Sequence, residues 1–517
     1  MARPTSRTGT GGHALGSDVP GRFTLVLHSH LPWLANHGRW PVGEEWLYQS
    51  WAASYLPVFG MLRRLAADGL TDQLSLGITP VLAAQLDDPR CSAGMFEWLA
   101  DWQLRAAEVA TSSDPVRREL GSREYLSAAT SLDDFEANWR HGGSPMIRDL
   151  ISSGVIEVLG GPLAHPFAPL LNSRLRDFSL REGLADANAR WAHDPSGIWA
   201  PECAFAPGME SEYDAAGVGH FMVDGPTLHG DTALGRPVAD SEVVAFGRDL
   251  TVSYRVWSPK SGYPGHGAYR DFHTYDHPSG LKFARVTGRS VPSSEKKPYD
   301  PALADATIDT HVDDFIGCVR ARLLEESERI GRPAHVIAAF DTELFGHWWL
   351  EGPIWLERVL RTLPDAGVSV GTLASARRDG FVGSPLALGP SSWGSGKDWR
   401  VWDGPQVRHL VTLNSEVTET ALSTVDKLVD GGATRNRVAD QILRETLLTV
   451  ASDWPFMVSK DTAAQYAVQR AHTHAHATRE ICDAAMRGRT RQAQDLAAGW
   501  NAADSLFGAL DARRLQQ

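Results

Sequence analysis

Seven short apolar runs recur along this chain, and each gives way to polar or turn-forming residues where a strand would end. The first, Phe23-Thr24-Leu25-Val26-Leu27, runs into His28, Ser29 and His30. Residues 74–78, 155–159, 198–200, 219–223, 334–340 and 368–370 repeat the plan. They lead in turn into Thr79-Pro80, Gly160-Gly161, Pro201-Glu202, Asp224-Gly225, Asp341 and Gly371-Thr372. Apolar, β-branched runs this short read as buried strands, and most are separated by segments long enough for a helix, such as 50–67 and 179–191. Strands alternating with helices imply parallel pairing, and polar residues gathered after strand ends imply an active-site rim. The expectation is an α/β fold, a (β/α) barrel or a close relative.

The rest of the chain divides around that unit. Residues 1–20 are rich in Gly, Ser and Thr, without the apolar stretch of a signal peptide, and read as a disordered tail. The barrel is expected over 21–389, with a charged helical insertion at about 88–129 and long Gly- and Pro-rich loops between about 205 and 300. From 390 to 517 strand signals fade. Apolar residues there recur at three- and four-residue spacing, predicting a helical C-terminal domain that contributes to the site.

Composition excludes several classes of function. Fifty basic against 63 acidic side chains leave a net charge of −13, which disfavours nucleic acid and anionic membrane as partners. No apolar run is long enough to span a bilayer. Cys91, Cys203, Cys318 and Cys482 form no CxxC pair and fit a reducing, cytoplasmic setting. Eighteen tryptophans in 517 residues are an excess, and with excess acid they suggest surfaces that stack on uncharged sugar rings.

Two carboxyl groups stand out. Glu202 follows a strand and Pro201, which lacks an N–H and has a fixed φ, so it ends the ladder and aims the next side chain. A carboxylate so placed suits a nucleophile; a helix-capping Glu is the plainer alternative. Asp341 opens Asp-Thr-Glu-Leu-Phe-Gly-His-Trp-Trp after the strongest strand signal. Partly desolvated by aromatics, it could stay protonated as a general acid, its alternative being an N-cap beside a Trp-rich core. Two carboxyls from different strands are what glycosidic cleavage requires, about 5–5.5 Å apart if configuration is retained. Neither GxxxxGK[ST] nor GxSxG occurs, so a phosphate loop and a hydrolase triad are unsupported.

Histidines and tryptophans furnish the candidate sugar contacts. His28 and His30 could bond hydroxyls or ligate a divalent metal. Strand alternation is expected to turn only one of them to the pocket unless the strand is ending there. His165 lies on another rim, and His347 sits in the Asp341 segment. Trp40, Trp257, Trp393, Trp402 and Trp454 lie among Gly, Pro, Asp or Glu, and Asp453 precedes Trp454. His472, His474 and His476 have metal-like spacing, but in a polar helical stretch a solvated face is expected.

At these residues the chain resembles family 57 glycoside hydrolases, in particular the family's α-glucan branching enzymes. The resemblance runs through His28-Ser29-His30-Leu31-Pro32, the segment from Gly38 to Leu47, and the segments around His165, Glu202 and Asp341. Lys297-Pro298-Tyr299-Asp300-Pro301, Ser392-Trp393-Gly394 and Ala451-Ser452-Asp453-Trp454-Pro455-Phe456 complete it. It implies a distorted seven-stranded (β/α) barrel with a helical C-terminal domain and a retaining double displacement. Glu202 would be the nucleophile and Asp341 the acid/base, with His28, His165, Trp40, Trp257, Trp393, Trp402, Asp453 and Trp454 on the glucan. No metal or organic cofactor is implied. The activity would cut an α-1,4-glucan, such as amylose or a glycogen-like polymer, and pass the chain to a 6-hydroxyl, as glycogen biosynthesis requires. Such an enzyme would be a monomer or a small homo-oligomer.

One departure stands against branching. The family's branching enzymes carry a long tyrosine-bearing loop after the nucleophile strand, and the equivalent stretch here, 226–246, is short and has no Tyr. An α-amylase or 4-α-glucanotransferase of the same family is therefore one rival. A metal-dependent glycan hydrolase or deacetylase using His28 and His30 is another, and a non-catalytic glycan-binding protein a third.

Overall fold

The computed structural model describes residues 19–258, 260–430, 432 and 434–516. Its parallel strands are Gly21–Ser29 (β1), Leu74–Ile78 (β2), Ile156–Leu159 (β3), Gly197–Ile198 (β4), His220–Asp224 (β5), Val244–Arg248 (β6) and Ala334–Asp341 (β7). β1 is the centre of one arc. It pairs with β7 from Gly21↔Ala334 to His28↔Asp341, and with β2 from Val26↔Ser75 onward, while β2 pairs with β3. A second arc runs β4, β5, β6. Two narrow seams join them into a ring: the bridge Gly160↔Ile198 beyond β3, and the Asp249 N–H beyond β6, which donates to Ile337 O on β7 at 2.8 Å. These seams are the distortion in a seven-stranded barrel. β2, β5 and β6 are buried throughout, as strands covered on both faces must be.

The ring corrects one strand expectation. The run at 368–370 forms only Ser369–Val370, paired with Arg22 and Phe23 of β1 outside the ring. The seventh strand is β6, inside a stretch read from sequence as loop. Its residues Val-Ala-Phe-Gly-Arg carry a single β-branched side chain, too weak a local signal to show that the barrel closes there. The two-residue strand Arg236–Pro237 folds back antiparallel on it. Leu228, Val238 and Val243 pack beneath, so the stretch 226–246 is part of the barrel wall.

Between β2 and β3 the helices Pro89–Val109 and Pro115–Asn138 form a long hairpin. Each starts on an Asp N-cap followed by Pro at the first turn: Asp88 accepts from Arg90 N at 2.7 Å, and Asp114 from Val116 N at 2.9 Å. Gly121 permits their closest approach, since a Cβ there would lie 2.8 Å from the Val109 carbonyl carbon.

The C-terminal helices Arg408–Val429, Arg437–Thr449, Asp453–Lys460, Ala464–Met486 and Thr490–Ala503 pack around the second of them, buried from Val438 to Thr449. Side chains from these helices and from the barrel share one hydrophobic core. The rim is stitched to them where Ser452 N–H donates to His165 O at 3.0 Å.

The histidine run on Ala464–Met486 does not form a solvated face. His472 and His476 are exposed, but His474 is wholly buried, because a helix turns 100° per residue and sets position 474 opposite its neighbours. Its Nδ1 lies 2.8 Å from Glu445 and its Nε2 accepts from Arg470 at 2.9 Å. A metal-bound histidine needs an acceptor for its second ring N–H, so the guanidinium makes this a hydrogen-bonded network. Val19 and Pro20 already bond to the fold, through Gly367 O and Ser327 Oγ, whereas the tail expected at 1–20 otherwise lies outside the described residues. Among the described residues no helix is long and apolar enough to cross a membrane. The cysteines are unpaired.

Candidate active site

The carboxyl ends of β1, β3, β4 and β7 meet the C-terminal helices, and the candidate residues gather there. Positions 28 and 30 are two apart and share a strand face, so the expectation that only one would face the pocket is corrected: both do. His28 stacks on Trp199 with ring centroids 4.3 Å apart, and His30, just past the strand, stacks on His165 at 3.8 Å. Glu202 (φ 60°) and His165 (φ 52°) sit in the left-handed region, each beside a second residue in the same state. Non-glycine residues so placed cost about 1–3 kcal/mol apiece, and the surrounding bonds hold them there.

Glu202 is gripped at both oxygens. Trp393 Nε1–H donates to one at 2.9 Å and Ser452 O–H to the other at 2.8 Å. A carboxylate only accepts, so the second bond orders a chain behind it. Ser452 Oγ, having donated, accepts from His165 Nδ1–H at 2.9 Å; His165 Nε2 is then an acceptor, facing His28 Nε2–H at 3.1 Å. Burial first, and then the neighbouring histidines, hold both His28 and His165 well below the ordinary imidazole range. Both rings are thus neutral, as the chain requires.

His30 is the member drawn toward the charged form. Burial opposes a charge, but its Nε2–H bridges both oxygens of Asp453 at 3.0–3.1 Å and the attraction raises its pKa. Its Nδ1 faces Thr79 Oγ1 at 3.0 Å. The four ring nitrogens of His30 and His165 are therefore committed inside the protein. A cation bound by His30, His165 and Asp453 would have to displace these bonds.

Asp341 ends β7 beside His28 in register. Burial pushes its carboxyl up to about 6, against the pull of Arg248 and His30. Burial likewise lifts Glu202 to about 7, against the donors Trp393 and Ser452. Glu343, two residues past Asp341, is raised to about 8 by burial and the adjacent Asp341 charge; it accepts from Tyr55 O–H and His30 N–H. Tyr55 closes a π-helical turn, Trp51–Tyr55, a local widening that recurs at functional sites. Behind Trp393, Arg248 lies 5.2 Å from the indole centroid and pairs with Asp224 at 2.9 Å.

The structure thus brings together Glu202, Asp341, His28, His30, His165, Trp393 and Asp453. Trp257 is 44% exposed and stacks on Trp348 at 5.5 Å, and Trp40 is 76% exposed; these two offer ring faces to solvent. Trp402 and Trp454, read from sequence as sugar-stacking, are each only 1% exposed, with their N–H groups donated to Ser452 O and Leu448 O. They brace the site from inside the core. His347 is elsewhere: its backbone N–H bonds Ser54 Oγ and its ring lies beside Phe272. Sequence reasoning did not single out Ser452, Trp199, Arg248 or Glu343. Ser452 and Glu343 lay within conspicuous segments, but Arg248 ends the strand whose signal was weakest.

Comparison with known proteins matches the two halves of this arrangement separately. The Glycosyl hydrolase family 57 profile matches residues 24–262, and the C-terminal profile of 1,4-α-glucan branching enzymes matches residues 414–514. A probable 1,4-α-glucan branching enzyme of Mycobacterium tuberculosis is 67% identical over 96% of this chain and 99% of its own. A 1,4-α-glucan branching enzyme of Thermococcus kodakarensis is 30% identical over 88% of this chain and 72% of its own. The crystal structure of a family 57 branching enzyme from Pyrococcus horikoshii superposes with a TM-score of 0.91 at 28% identity, covering 96% of this chain and 97% of that one. Barrel, rim and helical C-terminal region together establish that the chain belongs to glycosyl hydrolase family 57, in its branching-enzyme group.

Proposed function

We propose that the protein is a retaining α-glucan branching enzyme, with Glu202 as nucleophile and Asp341 as acid/base. The observation that carries the assignment of roles is the difference in donors. Glu202 accepts from Trp393 and Ser452, which favour its ionised form and fix both oxygens for attack. Asp341 accepts no side-chain hydrogen bond among the described residues and is free to hold a proton and release it. Asp341 would protonate the leaving oxygen of an α-1,4 bond while Glu202 attacks the anomeric carbon. Asp341, now a base, would then deprotonate the 6-hydroxyl of a second chain as that chain displaces Glu202. The carboxyl separation is expected at about 5–5.5 Å in the complex. His28, His30, His165 and Asp453 would bind hydroxyls around the cleavage point.

Transfer demands that an acceptor hydroxyl outcompete water by position and by exclusion of solvent. The stretch 226–246, built into the barrel wall, does not supply a lid. We assign that role to Trp257, half exposed and braced on Trp348. Unpaired cysteines support a cytoplasmic setting, and an α-glucan substrate supports a part in synthesis of a glycogen-type polymer.

Incubation with linear amylose tests the reading when α-1,6 linkages and reducing ends are counted in one sample. The expected outcome is a rise in α-1,6 linkages with few new reducing ends. Reducing ends without branches would make the enzyme an amylase. A narrower test falls on Ser452. Ser452→Ala removes one donor from the carboxylate, a bond to a charged group worth about 1.5–3 kcal/mol. We expect kcat to fall roughly 10- to 100-fold, KM to change little, and the alkaline limb of the pH profile, which follows Glu202 near 7, to move upward as Glu202 becomes harder to ionise. An unmoved limb would reduce Ser452 to packing.

A further inference from the structure

Behind the catalytic loop lies a second cavity, of about 640 Å³, walled by the hairpin Pro89–Val109/Pro115–Asn138, the π-helical turn and the segment around residue 280. We infer that this cavity is a second α-glucan-binding site, separate from the catalytic cleft; the inference rests on the α-glucan reading above and deepens it. The volume falls within the range of roughly 300–1,000 Å³ usual for small-molecule sites.

Its walls have the chemistry of a sugar site. Trp98 and Trp102 stand as a pair with centroids 5.8 Å apart, and their N–H groups are tied to Glu45 at 2.8 Å and Glu124 at 3.0 Å. Those bonds fix both rings. Carboxylates and guanidinium, such as Glu124 and Arg270 paired at 2.8 Å, supply planar acceptors and donors to vicinal hydroxyls. Acids and cations line the cavity together, so a neutral polyol is favoured over an anion. Two groups on its wall, one buried and one half-buried, are open to a ligand. His347 is 7% exposed, and its Nε2 has no hydrogen bond among the described residues. Lys282 sits 3.9 Å from the Phe272 ring centroid and pairs with no carboxylate among the described residues.

The placement links cavity to cleft. Glu343 turns to the catalytic side, bonded by Tyr55 and His30, and His347, four residues on, lines the cavity. A chain held here would stay tethered beside the reaction centre, which benefits long glucans and not short ones.

Retardation in native gels containing glycogen reads binding, using full-length Glu202→Gln protein so that the polymer is not consumed. Turnover of a short chromogenic malto-oligosaccharide by otherwise wild-type protein reads the cleft alone. Lys282→Met, and separately Ser127→Trp, which fills the cavity from an exposed position, are each expected to weaken glycogen affinity at least threefold and leave the short-substrate rate within twofold. Ser127→Trp keeps the test open should Lys282→Met not fold. Unchanged retardation in both would overturn the second site, as would parallel losses in both assays, which would mean disturbance of the catalytic loop. A wild-type protein retarded by glycogen but inert on every α-glucan would instead overturn the catalytic reading and leave this one standing.

Discussion

Glu202→Gln is expected to lower kcat on α-glucan by at least about 10⁴-fold, the scale seen when a nucleophile is removed from a site that otherwise still binds. An amide cannot form the glycosyl-enzyme bond, and it presents an N–H to one of two donors, Trp393 or Ser452, that now meet a carboxylate oxygen. Retardation by glycogen should survive, because the stacking rings and the His30–Asp453 pair are untouched. The melting temperature should be no lower than that of the wild type. Burial holds the folded Glu202 near 7 against an ordinary 4.5. Its contribution to stability is therefore lost as pH rises between these values, and above 7 the full cost of burying a charge is present. Gln carries no such cost. Retained turnover in the purified variant would remove Glu202 from the mechanism.

Asp341→Asn is expected to cost about 10²- to 10⁴-fold on glucan, the usual worth of a positioned general acid. Substrates with an activated aryl leaving group, which need no protonation to depart, should lose much less in the first step. The pH profile supplies the sharper readout. The productive state holds Glu202 as carboxylate and Asp341 as carboxylic acid, which, with Glu202 the weaker acid, is the less populated placing of the single proton. Below both pKa values no nucleophile exists; above both, no acid does. With the two groups near 6 and 7, kcat/KM of the wild type should be bell-shaped, rising through about 6 and falling through about 7. Asp341→Asn should leave one rising limb and a plateau. A variant that keeps its alkaline limb would show that another group, with Glu343 the nearest candidate, supplies the proton.

Much of the architecture could be read locally. Phe23 to Leu27 and Ala334 to Phe340 announce buried strands by composition alone, and they pair with each other over eight residues. Pro201-Glu202 and Asp341 follow strand ends, so their place on a rim also followed from sequence. Val244–Arg248 did not, because a strand of five residues with one β-branched side chain is held by neighbours on both sides and not by its own preference. Trp402 and Trp454 failed for a related reason. Gly, Pro and Asp nearby suggest exposed loops, but packing decides which indoles are covered.

Local pattern is enough to specify strands, helix caps and the residues at strand ends, because each depends on neighbours a few positions away. On that basis the chain's own letters determined an α/β barrel with two carboxyls on its rim. Which groups meet those carboxyls was decided only by folding. Ser452 reaches Glu202 across 250 positions, and Asp453 reaches His30 across 423. Bonds over such separations leave no periodicity or spacing in the sequence. They arise when the C-terminal helices bury their apolar faces against the barrel's core and thereby carry a serine and an aspartate to its mouth.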